Sequence, residues 1–193
     1  NMIYNHSVSY LALIMLVTAF SVLPACSFLT DADEAMVFGD AEVSSELIVS
    51  LTPHLVFVDY DQYLEDMLSA GEYDWIDNGI TARYFPMKGK DASNVALTLV
   101  RLGRFATTLE IVEELAEHDL QPAEMEHLLA YGAASLDDTH LIIVVALGSG
   151  WSEPDSGREV PFISQLTNRD LGLRWAGPDY TWGPGSRILA IRK

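Results

Sequence analysis

Three kinds of side chain in this 193-residue sequence could do chemistry: its histidines, its clustered carboxylates and its arginine-flanked aromatics. The five histidines, His6, His54, His118, His127 and His140, show none of the spacings that bring imidazoles onto one metal ion. His118 and His127 read as solvated helix positions. Glu110, Glu113, Glu114 and Glu117 form a charged helix face rather than a pair of carboxylates for acid and base work. No glycine-rich phosphate loop, zinc signature or Ser-His-Asp arrangement is present. Recognition chemistry remains. Trp151, Trp175 and Trp182 are residues of the type that anchors interfaces, but in a loop-rich fold tryptophan also supplies core mass. Trp151 and Trp175 are expected in the core, and Trp182 fits either place. Tyr180, within Pro178-Asp179-Tyr180-Thr181, is expected at the surface, because the Pro and Gly around it favour a loop. Arg174 and Arg187 are expected to pair with carboxylates inside the domain.

The elements that must position these groups follow from periodicity. Leu55–Tyr60 is a continuous apolar run that suits a strand, and Tyr63–Ala70 places Leu64, Met67 and Leu68 at helical spacing before Gly71. Tyr73–Phe85 is aromatic-rich, with Asn78-Gly79 as a turn signal and Pro86 and Gly89 as breakers. Val95–Val100 suits the first strand of the main domain. A helix from Leu109 to about His118 follows, with Thr107 and Glu110 forming a capping box. Pro122 suits the first turn of a second helix to Tyr131, closed by Gly132. Leu141–Ala146 reads as a buried strand and Val160–Ile163 as a short one. Leu171–Trp175 alternates with period two, and Arg187–Arg192 closes the fold with Ile188 and Ala190 opposing Leu189 and Ile191. The Thr30–Ser50 region is acidic, with a helical turn or two expected around Ala41–Val49.

Charge narrows the function classes. The net charge of −17 argues against nucleic-acid binding, which needs a basic face to release counterions. Residues 1–82 hold 13 acids and no Lys or Arg, whereas residues 83–193 hold all 11 bases against 15 acids. Solubility and self-repulsion account for the excess. At this length the chain can bury roughly 70% of its unfolded surface, so one domain with an N-terminal extension needs no disulfide. The lone cysteine excludes an intrachain disulfide in any case. Leu23-Pro24-Ala25-Cys26 follows the apolar stretch Tyr10–Leu23 and resembles a bacterial lipobox, although no Lys or Arg precedes it. Two alternatives stand. Cys26 is lipidated and tethers an outward-facing lipoprotein to a membrane, or the segment has no such fate and the protein is cytoplasmic.

From about Tyr73 to Lys193 the chain is similar to a family of uncharacterised bacterial proteins, through Ile80–Pro86, Glu124–Ala133, Val145–Ser149 and Arg187–Lys193. The C-terminal order also resembles the C-type-lectin-like fold, as in variable proteins of diversity-generating retroelements and formylglycine-generating-enzyme-like domains. The resemblance implies an α+β domain over 91–193 in which the first and last strands pair, two helices flank the sheet, and an irregular region presents the ligand surface. Residues 1–26 would then be a signal segment, 27–52 an acidic linker and 53–90 a lead-in packing on the main domain. Its framework would be Trp151, Arg169, Leu171, Leu173, Trp175, Trp182 and Arg187–Lys193. Its displayed positions would be Ser164, Gln165, Thr167, Asn168, Asp170, Gly172, Arg174, Asp179, Tyr180, Thr181 and Ser186, with Trp182 joining them if it faces outward.

Departures from that pattern limit what it implies. Calcium-dependent sugar binding needs several oxygens converging on one spot. Here Glu153-Pro154-Asp155 precedes the expected region, and Trp175-Ala176-Gly177 replaces the second ligand triplet. The expectation is a display module without cofactor or metal, which binds a protein or another macromolecule. The enzymatic alternative rests on Val56–Asp61, which resembles the nucleophile motif of haloacid-dehalogenase-like phosphatases. The resemblance implies that Asp59 attacks phosphorus and Asp61 acts as acid/base beside magnesium, with Asp137-Asp138 as the metal pair. Gln62-Tyr63 departs from that motif, no lysine motif follows, and alternating strand–helix units are missing. A purely structural domain without a ligand is the remaining alternative.

Overall fold

The computed structural model describes residues 44–135, 142–153 and 157–193. Its architecture is α+β. In chain order the elements are β1 (Ile48–Asp59), α1 (Leu64–Ala70), β2 (Trp75–Ile76), β3 (Ala92–Leu102), β4 (Ala106–Thr107), α2 (Thr108–Glu117), β5 (Leu120–Pro122), α3 (Met125–Ala134), β6 (Ile143–Val145), β7 (Trp151–Glu153), β8 (Gly157–Gln165), β9 (Arg169–Trp175), β10 (Thr181–Trp182) and β11 (Ser186–Arg192). The main sheet runs β1-β3-β11-β6-β8-β9-β2, with β5 paired to β11 and β7 to β8, and β4 and β10 form a separate ribbon.

The expected pairing of first and last strands is present: β3 and β11 are antiparallel, from Arg187 opposite Arg101 to Ile191 opposite Leu97. Alternation in β11 sends Leu189 to one face and Ile188 and Ala190 to the other, so each face carries its own core. On one face Val56, Val58, Leu97, Ile163 and Leu189 pack with Leu64 and Met67 of α1 and with Leu128 and Leu129 of α3. On the other, Val100, Val145 and Ile188 pack with Ile111 and Leu115 of α2 and with Trp182. Each of these fully buried aliphatic side chains contributes roughly 1.5–3 kcal/mol of transfer free energy.

Several boundaries differ from the sequence expectation. No helical turn forms over Ser44–Val49; bends lead into β1, which begins at Ile48 within the expected linker. Strand β1 pairs with β3 from Ile48 opposite Leu102 to Asp59 opposite Ala92, with a bulge at Val49. Pro53 is tolerated there because β1 lies at the edge of the sheet, where a missing N–H leaves no neighbour unbonded.

The second helix begins at Met125 rather than Pro122, which instead ends β5 opposite Ala190. Gly132 is interior to α3 and does not cap it; the cap is Ser135. A β-carbon at Gly132 would collide with the Tyr73 hydroxyl, so this glycine admits a neighbouring ring against the helix backbone. The Thr107–Glu110 capping box does form. The Thr107 N–H donates to the Glu110 carboxylate at 2.7 Å, and the Glu110 N–H donates to Thr107 Oγ1 at 3.2 Å. Helix α1 ends at Gly71 as expected.

Candidate functional site

Strands β8 and β9 form an antiparallel hairpin, from Gln165 opposite Arg169 at its turn to Glu159 opposite Trp175 at its far end. Midway along it Phe162 lies opposite Gly172. A β-carbon on Gly172 would fall 2.7 Å from the ring of Phe162, so glycine lets the ring lie across the strand. The guanidinium of Arg174 sits 5.3 Å from the centre of that ring, in cation–π geometry. Arg174 also donates to the Tyr180 hydroxyl at 3.1 Å.

Tyr180 is held edge-on between two tryptophans, with ring centres 5.9 Å from Trp175 and 4.8 Å from Trp182. These are favourable separations for aromatic pairs. Trp182 is buried, and its indole N–H donates to Thr108 Oγ1 at 3.0 Å. The Thr108 N–H in turn donates to the Tyr180 carbonyl at 2.9 Å, and the Leu109 N–H to that of Pro178 at 3.1 Å. The N-terminal turn of α2 therefore fixes the 177–182 loop. Around it Trp175 is 45% exposed, Leu109 53% and Phe105, which packs over Gly183, 61%, beside the exposed polar residues Arg174, Asp179 and Thr181. An aromatic–Arg cluster on a hydrogen-bonded frame offers contact area that loses little conformational entropy on binding.

The displayed set expected from the sequence divides into two groups at opposite ends of the hairpin. Thr167 and Asn168 are exposed beside its turn, with half-buried Ser164 and Gln165 paired to Asp170 and Arg169. Arg174, Asp179, Tyr180 and Thr181 lie at the far end, with Arg174 four to five residues along β9 from Asp170 and Arg169, or roughly 13–17 Å away. Ser186 is half-buried at the start of β11, its N–H bonded to the Gly183 carbonyl. Two displayed positions are buried: Gly172 beneath Phe162, and Trp182 in the core under α2.

Trp175, expected in the core, is exposed. Strand β2 pairs with β9 only at Asp170 and Leu171, which leaves the Trp175 end unflanked on that side. The side chain of Trp151 and residues 154–155 of the Glu-Pro-Asp triplet lie outside the described residues, as do Cys26, His140 and Asp137-Asp138. Arg169 is a framework residue. Its guanidinium donates to the carbonyls of Gly71 (2.7 Å), Gly132 and Ser135 (3.5 Å) and stacks 5.4 Å from the Tyr73 ring centre, supplying a cation to the C-terminal end of α3.

The phosphatase residues do not assemble among the described residues. Asp59 ends an antiparallel edge strand, and its carboxylate accepts the Asp61 N–H at 3.1 Å, closing a turn. No trio of His, Cys, Asp or Glu among the described residues is placed to hold a metal ion.

A second constellation was not legible in the sequence. His127, expected on a solvated face, is 5% exposed. Its Nδ1 accepts the Glu124 N–H at 3.1 Å, so the neutral ring carries its proton on Nε2 and donates it to the Tyr60 hydroxyl, also at 3.1 Å. Burial lowers the His127 pKa, against the pull of Glu124, and keeps the ring neutral. Beside it, Glu126 is 1% exposed, and burial pushes its carboxyl pKa up to about 7. Glu124 adds to that rise, and Lys88, bonded to Glu124 at 3.0 Å, opposes it. The hydrophobic run around Glu126, Met125–Tyr131, buries almost the whole circumference of α3, and this was the one available signal that its polar residues are interior.

No family model matches this chain, and neither a curated protein nor a solved structure does. No helix among the described residues is long and apolar enough to cross a membrane.

Proposed function

We propose that this protein is a binding module for a protein partner, which it grips through the aromatic face built on Trp175, Tyr180 and Arg174, with Leu109 and Phe105 beside them. The observation that carries the reading is the Trp175–Tyr180–Trp182 stack. One tryptophan is sunk in the core and the other is half-exposed, so the surface aromatics are pre-positioned by the frame. The frame is C-type-lectin-like in this reading. Its support is the antiparallel β3–β11 pair, the two helices that lie between those strands in sequence, and the short strands and loops over 143–182. The displayed surface is narrower than the resemblance implied and lies at the far end of the hairpin. In the same reading Cys26 is a lipid anchor that holds the module at a membrane face.

A library of displayed peptides and small domains panned against the purified chain tests the binding face. Enriched binders should lose at least tenfold in affinity on Trp175→Ala and on Arg174→Ala, with thermal stability held within about 0.5 kcal/mol for the exposed Trp175 change. Binders indifferent to both substitutions would place the interface elsewhere and overturn the assignment. For the anchor, Cys26→Ala should move the chain from the membrane to the soluble fraction of an expressing bacterium. Unchanged partition would remove the tether.

A further inference from the structure

A cavity of about 380 Å³ opens beside the N-terminus of α3, lined by Tyr60, Lys88, Glu124, Glu126, His127 and Ile191 among others. Its volume is in the range of small-molecule sites. Two carboxyl groups face it and only one ammonium, Lys88, which is already committed to Glu124 at 3.0 Å. Glu126 has no cation of its own: its carboxyl lies against Glu124 and its own backbone N–H, with Lys88 acting on it only at a distance. Its Oε2 is fully buried and has no hydrogen-bond partner, a state that costs free energy in a folded protein. The wall beyond it is hydrocarbon, from Pro122, Ile191 and the Tyr60 ring.

We infer that this cavity is a binding site for a primary alkylammonium, whose charged head pairs with Glu126 and whose hydrocarbon arm lies against Ile191, Pro122 and Tyr60. The Lys88–Glu124 contact is an internal precedent, since an alkylammonium of the chain itself sits on a carboxylate of the same cavity. A divalent metal fits poorly, because no trio of metal-ligating side chains converges among the described residues. A monocation balances the one uncompensated carboxylate. Tyr60 contributes an oxygen acceptor on the same wall, held in place by the His127 Nε2–H.

Empty, Glu126 resolves the imbalance by keeping its proton to about pH 7. Binding replaces that proton: the Glu126 carboxylic acid and the incoming ammonium ion give a carboxylate–ammonium pair and one proton released to solvent. The other titratable groups facing Glu126 are Tyr60 and His127, both neutral, and the Lys88–Glu124 pair.

Calorimetry of the full chain with n-butylammonium chloride tests the site, run at pH 6 and pH 8 in two buffers of different ionisation enthalpy. Binding should release close to one proton at pH 6 and almost none at pH 8, with affinity about tenfold higher at pH 8. Glu126→Gln should weaken binding at least tenfold at pH 8 and abolish the proton release. Lys88→Met removes the competing ammonium and should tighten binding. Heats that Glu126→Gln leaves unchanged, binding lost with Lys88→Met, or sodium acetate binding in place of butylammonium would each overturn the inference. If Glu126→Gln fails to fold, the wild-type proton count and the Lys88→Met affinity decide it.

Discussion

Replacing Glu126 by Gln should change the pH dependence of folding between pH 5 and pH 8. The carboxyl is 1% exposed, and burial carries its pKa from an ordinary 4.5 to about 7. The folded chain therefore holds this proton to higher pH than the unfolded chain does. The associated stability is fully present below pH 4.5 and is lost as pH rises through 7. At about 1.4 kcal/mol per pH unit, the loss amounts to about 3 kcal/mol by pH 8. Gln keeps the shape and a neutral head but cannot ionise, so the variant avoids that loss.

Urea denaturation of wild type and Glu126→Gln at pH 5, 6, 7 and 8 gives the measurement. About 2.5 kcal/mol of that loss falls between pH 5 and pH 8, so with a slope of roughly 2 kcal/mol per molar the variant's midpoint should gain about 1.2 M on the wild type over that range. His127 acts with the opposite sign. Its lowered pKa contributes stability above about pH 6.5 that is lost as pH falls. That contribution is common to both proteins and cancels in the difference. If the two midpoints stay parallel across this range, Glu126 ionises as freely folded as unfolded, and the burial argument fails.

Three further predictions concern the frame. Arg169→Met removes the donor to the carbonyls of Gly71, Gly132 and Ser135, of which Gly132 keeps the Ser135 N–H, and should cost roughly 2 kcal/mol or more in chemical denaturation; a loss under about 0.5 kcal/mol would show that the guanidinium is dispensable. Gly172→Ala drives a methyl into the Phe162 ring and should cost about 1–3 kcal/mol. By moving the seat of Arg174 it should also alter the near-ultraviolet circular dichroism of the Trp175–Tyr180–Trp182 stack, and an unchanged spectrum would show that ring and stack are independent. Thr107→Ala removes one half of the α2 capping box and should lower stability by about 1 kcal/mol, read from the thermal midpoint.

Much of the fold was legible because it rests on local signals. The Thr107–Glu110 box is a four-residue pattern. Leu64 and Met67 at helical spacing, with Gly71 after them, marked α1. Alternation through Ile188, Leu189 and Ala190 marked the closing strand and its two faces. The errors came where local rules meet a tertiary demand. Gly132 reads as a helix stop, but Tyr73 needs the space of its missing β-carbon, so the helix runs on. Pro122 reads as a helix start, but β11 recruits it into β5. Ala41–Val49 reads as weakly helical, while the long edge pairing with β3 takes Ile48 and Val49 into β1.

The candidate sites divide in the same way. By itself the sequence determined the chemical inventory: an acidic chain with one cysteine, tryptophans and arginines concentrated near the C-terminus, and alternating strands able to carry them. It also determined which short segments would be helix or strand, because caps and periodicity act within a few residues. Only the tertiary structure decided which aromatic faces solvent. Trp175 and Trp182 are indistinguishable by type, yet β2 stops short of one and α2 covers the other. The hairpin register set Ser164–Asp170 apart from Arg174 by at least four residues of β9. And only packing could bring Tyr60 and Lys88 up to Glu126 and His127, because the burial that shifts a carboxyl is set largely by neighbours remote in sequence.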